Sequence, residues 1–281
     1  MSIELPEALI LTKQMTKELV GKQIHSWYLQ DFERLIKVGF LNKNIKDFDQ
    51  LVKGKVQSVV SRGNSIVVKL DNKMNLLLAP EYGGKILYHE KNVTIPKKVH
   101  LLVQFSDNTS LTVRLTSMGC IYAANDKELK QLYIYERDFS GTLSPIDVEF
   151  TFKRFSQLIA GMRRNIKSVL VGKEAVIVGV SNSAFQDIIY RAKIHPKVKV
   201  SELTTDERKT VFYAIKTLIQ ERIKFGGKDQ FLDLYGNSGK YIPTMGPNMK
   251  NKACHHCGTT IEKLSMGGGQ VYYCPRCQVP K

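Results

Sequence analysis

Four of the five cysteines in this 281-residue chain fall in its last 28 positions, as two C-x-x-C pairs, Cys254/Cys257 and Cys274/Cys277, with sixteen residues between them. This spacing constrains the fold more than any other feature. Each C-x-x-C lets one tight turn present two thiolates to one ion, and two such turns complete a tetrahedral, closed and therefore structural site. The spacing predicts one structural Zn²⁺ held by Cys254, Cys257, Cys274 and Cys277. A pair of disulfides is the alternative, disfavoured in a reducing compartment. His255 and His256 lie between the first two cysteines and are read as surface groups, since four thiolates suffice. The fifth cysteine, Cys120, stands in the apolar run Met118-Gly119-Cys120-Ile121-Tyr122 and reads as a packed strand residue rather than a nucleophile.

Charge adds a second constraint. The formal net charge is +16, and it is unevenly placed. Residues 1–150 hold 20 Lys and Arg against 17 Asp and Glu; residues 151–281 hold 22 against 9. A positive field concentrated in one half is the expected footprint of a polyanion, and nucleic acid is the leading partner. A protein that is merely basic is the plainer alternative. No apolar run is long enough to span a bilayer and no signal-peptide pattern opens the chain, so the expected location is the cytoplasm, on the nucleoid if the source is bacterial.

The periodicity changes twice along the chain. Residues 6–20 read as a helix, with Pro6 in its first turn, Glu7 favouring the positive end of the dipole, and a stripe of Leu9, Leu11, Met15 and Leu19. From Gln23 to about Tyr122 short β-rich runs follow, among them 56–60, 66–70, 75–78, 101–105 and 110–114, separated by turn-rich segments. Many short strands in succession predict a sandwich or barrel. Residues 137–145, with Ser140, Gly141 and Pro145, read as a linker. Helices are then expected over 152–161, 165–171, 183–192 and 205–224. The predicted class is α+β: an N-terminal helix with a β-sandwich domain (1–137), a helical domain (145–245) and a four-cysteine zinc-finger hairpin (250–281).

Within the helical part, an apolar run ends at Gly179, a turn with Ser181 and Asn182 follows, and His195-Pro196 stops the next helix. Such a helix-two-turns-helix unit can bind one phosphate through its backbone N–H groups and the Asn182 side chain. An Asn before a helix is also simply a common cap.

Glu4-Leu5-Pro6-Glu7, Val180-Ser181-Asn182 with Ile194-His195-Pro196, Lys167 just upstream, and Tyr273-Cys274-Pro275-Arg276-Cys277-Gln278 occur in the order seen in the Fpg/Nei family of DNA glycosylases, which the chain resembles along nearly its full length. The resemblance implies a β-sandwich, a helical domain and a zinc finger that clamp DNA in a cleft, with Lys167 and Asn182 as phosphate contacts; Lys263, Arg276 and Lys281 keep the finger basic, which suits a module lying against phosphate, and Arg276 is a DNA-binding candidate.

The reaction centre of that family is altered here. Family members attack the sugar C1′ with an N-terminal amine, commonly that of proline. That position is Ile3, and Ser2 precedes it, which would move the free amine roughly 3.5 Å upstream. The hairpin Arg-Gly-Lys reads Arg62-Gly63-Asn64, and asparagine supplies no cation. Tyr82 stands for the intercalating methionine, and Thr116-Ser117-Met118 for the Arg-Arg-Phe wedge, leaving Met118 as an apolar wedge. The finger arginine falls at Gly269. Ser2, Glu4 and Glu7 remain as catalytic candidates. The expected function is binding of double-stranded DNA that is damaged, distorted or branched, by a monomer without base excision. The alternative is a glycosylase/AP lyase with a rearranged nucleophile, such as the Ser2 amine or a lysine elsewhere.

Overall fold

A computed structural model describes residues 3–81, 83–116 and 118–281. The chain forms two compact units. The first runs through Ser140 and also takes in Phe225–Lys240; the second comprises Gly141–Lys224 and Tyr241–Lys281.

The first unit opens with helix α1 (Leu5–Leu19) and strand β1 (Ile24–Leu29), then a short helix α2 (Phe32–Lys37). Strands β2 (Val56–Arg62), β3 (Ser65–Leu70), β4 (Met74–Pro80), β5 (Lys85–His89), β6 (Leu101–Phe105), β7 (Ser110–Arg114) and β8 (Gly119–Asn125) follow, with α3 (Asp126–Leu129) and α4 (Tyr133–Phe139) after them. The strands make two antiparallel four-stranded sheets, β1-β6-β7-β5 and β2-β3-β4-β8.

Side chains alternate across a strand, and the alternation places one core between the sheets. Ile66, Val68, Leu76 and Leu78 of one sheet share it with Leu101, Val103, Leu111 and Val113 of the other, and Leu11, Met15 and Leu19 of α1 join them. The opposite face of the second sheet is covered as well. Val67, Leu77, Ala79 and Cys120 pack with Leu129 of α3 and with Leu132, Ile134, Tyr135 and Phe139. Burial on both faces explains why every residue of β4 is buried and why its sequence is a continuous apolar run rather than an alternating one. Cys120 is the packed strand residue expected, and burial pushes its thiol up to about 12. The expected linker at 137–145 is replaced in part by α4, because Ile134, Tyr135 and Phe139 offer an apolar face to this second layer.

Two buried histidines make the first unit acid-sensitive. His100 Nδ1 accepts from the Leu115 N–H at 2.8 Å, and His89 Nε2 lies 2.7 Å from Thr112 Oγ1. Burial lowers both pKa values from an ordinary 6.5. Below that value the unfolded chain therefore binds more protons than the folded one, so stability is complete above about pH 6.5 and is lost as pH falls. The melting temperature is expected to be lower at pH 5 than at pH 7.5; equal values would contradict this account.

The second unit contains α5 (Phe152–Ile159), α6 (Ile166–Leu170), α7 (Asn182–Arg191) and the long α8 (Thr205–Lys224). The hairpin of β9 (Glu262–Met266) and β10 (Gly269–Tyr273) closes the chain. Phe150, Phe155 and Phe212 pack ring against ring between α5 and α8. After α8 the chain returns to the first unit: Phe231 and Leu234 enter the inter-sheet core, and Tyr88 donates its backbone N–H to the Leu234 carbonyl at 2.9 Å. No helix among the described residues is long and apolar enough to cross a membrane.

Candidate functional site

In the second unit, the four cysteine sulfurs lie within 4.8 Å of one another, flanking the β9–β10 hairpin. Cys254 and Cys274 are buried and Cys257 and Cys277 partly so, while His255 and His256 are exposed. Four converging sulfurs and no further ligand atom are what a closed tetrahedral metal site requires. Tyr190 of α7 sets its hydroxyl 3.3 Å from Cys254 Sγ, and Gln186 accepts from the Tyr272 N–H at 2.8 Å, so the hairpin is fastened to α7.

Lys167 and Asn182 meet this same hairpin. Lys167, only 4% exposed, donates its ammonium to the Met266 carbonyl. Asn182 Nδ2 donates to the Gln270 carbonyl at 2.8 Å. Asn182 is the first residue of α7, and Ser181 rather than Asn182 caps it, its hydroxyl accepting from the Ser183 N–H. Between the two anchoring carbonyls lies the turn Gly267-Gly268, followed by Gly269 where β10 begins. The tip of the hairpin is thus backbone, held from both sides by a cation and an amide next to a helix N-terminus. Burial lowers the Lys167 pKa from its ordinary value. Arg276 is exposed, beside the second cysteine turn.

In the first unit, the acidic start of α1 is buried. Ile3 is 3% exposed and sits in the inter-sheet core. Glu7 accepts the Glu4 N–H at 3.1 Å and the Lys228 N–H at 3.2 Å. Glu4 receives the Lys228 ammonium at 2.9 Å, with Glu7 4.0 Å from the same nitrogen. Lys228 and Glu4 are each 1% exposed at the side chain. Such a pair costs several kcal/mol of desolvation per ion and persists only with good geometry; removing one partner costs about 3–5 kcal/mol because it leaves a buried charge. Gly227 makes the turn that aims Lys228 inward. Its φ is +91°, and a Cβ there would come within 2.5 Å of the Phe231 ring.

The β2–β3 turn, Gly63-Asn64, carries a second arrangement. Asn64 donates to Glu81 at 3.0 Å and accepts from the Arg137 guanidinium. Arg137 also grips Asp138 with two donors, Nε at 2.6 Å and Nη2 at 2.8 Å, and Ser65 donates to the same carboxylate. A cation therefore stands at the turn although Asn64 itself supplies none. Met118, 49% exposed, offers its carbonyl to the Glu81 N–H at 3.2 Å. Ser2, Tyr82 and Ser117 lie outside the described residues.

The structure brings Lys167 and Asn182, named separately from the cysteines in the sequence, onto the hairpin that the cysteines flank. The sequence reading missed Lys228 and Arg137. Nothing local marks Lys228, whose partner is 224 residues away. Arg137 stood at the edge of a segment read as linker.

Comparison with known proteins agrees along the whole chain. Family models match in order: the formamidopyrimidine-DNA glycosylase N-terminal domain over 3–116, its H2TH domain over 142–231, and the zinc finger found in FPG and IleRS over 251–279. Among curated proteins, the formamidopyrimidine-DNA glycosylase of Bacillus cereus is 25% identical over 281 residues, covering 98% of each chain. That of Wolbachia pipientis is 27% identical over 282 residues, covering 98% of this chain and 99% of the relative. Among solved structures, Lactococcus lactis Fpg in complex with abasic-site DNA superposes with a TM-score of 0.84 at 20% identity, covering 99% of this chain and all of that one. MutM bound to DNA with carbocyclic 8-oxo-G gives 0.81 at 20% identity, with the same coverage. These likenesses show the fold. Three family segments in order, on one shared fold, place the chain in the Fpg/Nei family.

Proposed function

We propose that this protein binds double-stranded DNA that is damaged, distorted or branched, as a monomer, through backbone contacts and shape, without the base excision its relatives are named for. One structural Zn²⁺ on Cys254, Cys257, Cys274 and Cys277 would fix the hairpin. The supporting observation is at the start of α1. Ile3, at the family's proline position, is buried in the core, while Glu4 holds Lys228 and Glu7 accepts two backbone N–H groups. The carboxylates thus have structural partners, and the side chain at the nucleophile's position is an alkyl group. Phosphate binding is assigned to the second unit, where Lys167, Asn182 and the N-terminal turn of α7 surround the glycine turn of the hairpin. Met118 is the apolar wedge, and Arg276 adds charge on the finger. A second reading, an active glycosylase or AP lyase, is favoured by the relatives, which are formamidopyrimidine-DNA glycosylases.

Gel shifts on duplex, mismatched, abasic, forked and four-way-junction DNA test the first reading. Lys167→Ala and Asn182→Ala are expected to weaken binding to every substrate, each by roughly tenfold, since phosphate contacts carry no sequence information. The logarithm of the binding constant should fall steeply with that of salt between about 50 and 200 mM, as for five or so neutralised phosphates. Affinity indifferent to salt, or variants that fail on one substrate only, would reject this assignment.

A further inference from the structure

Four sulfurs are enough to hold a metal, so the hydroxyl beside them has no part in the coordination itself. Tyr190 is 3% exposed and packs with Met245, Met249, Ile261 and Tyr272 in the cluster around Cys254 and Cys274. A phenylalanine would fill the same space without a polar atom to satisfy. A buried hydroxyl needs a hydrogen-bond partner, and among the described residues the partner of this one is Cys254 Sγ, at 3.3 Å. A metal-ligating cysteine is a thiolate without a proton, so the hydroxyl donates and the sulfur accepts. Other donors to these sulfurs belong to the cysteine turns: the His256 N–H reaches Cys254 Sγ and the Cys277 N–H reaches Cys274 Sγ, each at 3.4 Å. Tyr190 comes from outside the finger, on a helix that holds the hairpin by one face. Asn182, Gln186 and Tyr190 stand one turn apart along α7, and they reach the Gln270 carbonyl, the Tyr272 N–H and the Cys254 sulfur in turn.

We propose that the Tyr190 hydroxyl is an outer-sphere donor to the Cys254 thiolate, by which α7 sets how tightly the finger retains its metal. The proposal rests on the zinc reading above and is independent of which DNA the protein binds. Four thiolates around one divalent cation leave a centre of net negative charge, and burying such a centre is costly unless donors offset it. A hydrogen bond to a thiolate is charge-assisted, and a buried setting strengthens it. It draws electron density from the sulfur lone pairs and orients the ligand, the two ways in which outer-sphere partners tune a metal site. The donor is fixed in place by its surroundings. Its ring lies 5.3 Å from that of His256, between centroids, and is walled by the two methionines. Tyr190 is thus a positioning residue, touching a ligand and not the ion.

The test uses the full-length protein, its Tyr190→Phe variant, and a protein with 3-fluorotyrosine placed at position 190 alone. Phenylalanine keeps the ring and removes the donor; the fluorinated phenol is more acidic and donates more strongly. Competition with a chromogenic chelator is expected to show zinc affinity lower in Tyr190→Phe by about tenfold to a hundredfold, the usual cost of losing an outer-sphere partner. Cobalt(II) in place of zinc reports on the sulfur directly. Its thiolate-to-metal charge-transfer band should move to lower energy in Tyr190→Phe, where the sulfur is richer in electrons, and to higher energy with 3-fluorotyrosine. A residue that serves packing alone would not move the band in opposite directions. If Tyr190→Phe fails to fold, the fluorinated protein decides by its band. Zinc affinity and a cobalt band unchanged in folded Tyr190→Phe, or a band that 3-fluorotyrosine leaves in place or moves to lower energy, overturns the proposal while leaving the zinc site intact. A parent protein that holds neither metal on its four thiols removes the zinc reading and this proposal together.

Discussion

Stripping the metal from the four-cysteine hairpin is expected to abolish DNA binding and unfold the end of the second unit. Structural zinc in finger peptides contributes an apparent binding free energy of about 10–16 kcal/mol near neutral pH, and that energy is folding energy. Here it would act through particular contacts. Tyr190 lies against Cys254, and Gln278 ties the second cysteine turn back to the helical part by donating to the Ile194 carbonyl at 2.8 Å. Lys167 and Asn182 hold the hairpin through the Met266 and Gln270 carbonyls. Once the cysteine turns spread, those carbonyls lose their places, and the proposed phosphate site goes with them. Metal analysis should return one equivalent of zinc per chain. A chelator should lower DNA affinity by at least about a hundredfold, and zinc should restore it. Full affinity in metal-free protein, or much less than one equivalent with four intact thiols, would refute this.

Base excision is expected to be absent on oxidised purines and pyrimidines, at least about a thousandfold below the turnover of roughly 1 per second that enzymes commonly reach. A nucleophile misplaced by about 1 Å can lose a hundredfold, and here the position is an alkyl side chain buried in the core. Deleting Ser2 and replacing Ile3 with Pro gives a start like that of the relatives. Borohydride trapping by way of that new amine would indicate a cleft that lost only its reactive group. Excision by the unaltered protein at ordinary enzymatic rates would mean that the second reading is correct.

Much of this architecture is legible in the amino-acid sequence, and the reason differs by element. The bounds of α8 follow from strong helical periodicity between Thr205 and Lys224, and β6 and β7 from short runs closed by turn residues. The cysteine site is legible because tetrahedral coordination leaves few workable spacings. The second layer over β2-β3-β4-β8 is harder to read. A run such as Leu76-Leu77-Leu78-Ala79 marks a strand buried on both sides without saying what covers it. The Lys228–Glu4 pair is illegible in principle, since no local pattern links two residues at opposite ends of a chain. Arg137 was obscured by composition: the Ser, Gly and Pro that follow it suggest a connector, while the aromatic face of Tyr133–Phe139 that makes α4 is short.

The return of Phe225–Lys240 to the first unit bears on how such a gene can change. A recombination junction near codon 140 would leave the first unit without the strip that carries Lys228, Phe231 and Leu234, so Glu4 would be stranded and the inter-sheet core opened. Neither unit is one continuous stretch of the gene, so a cassette that carries either one whole must cut the other in two.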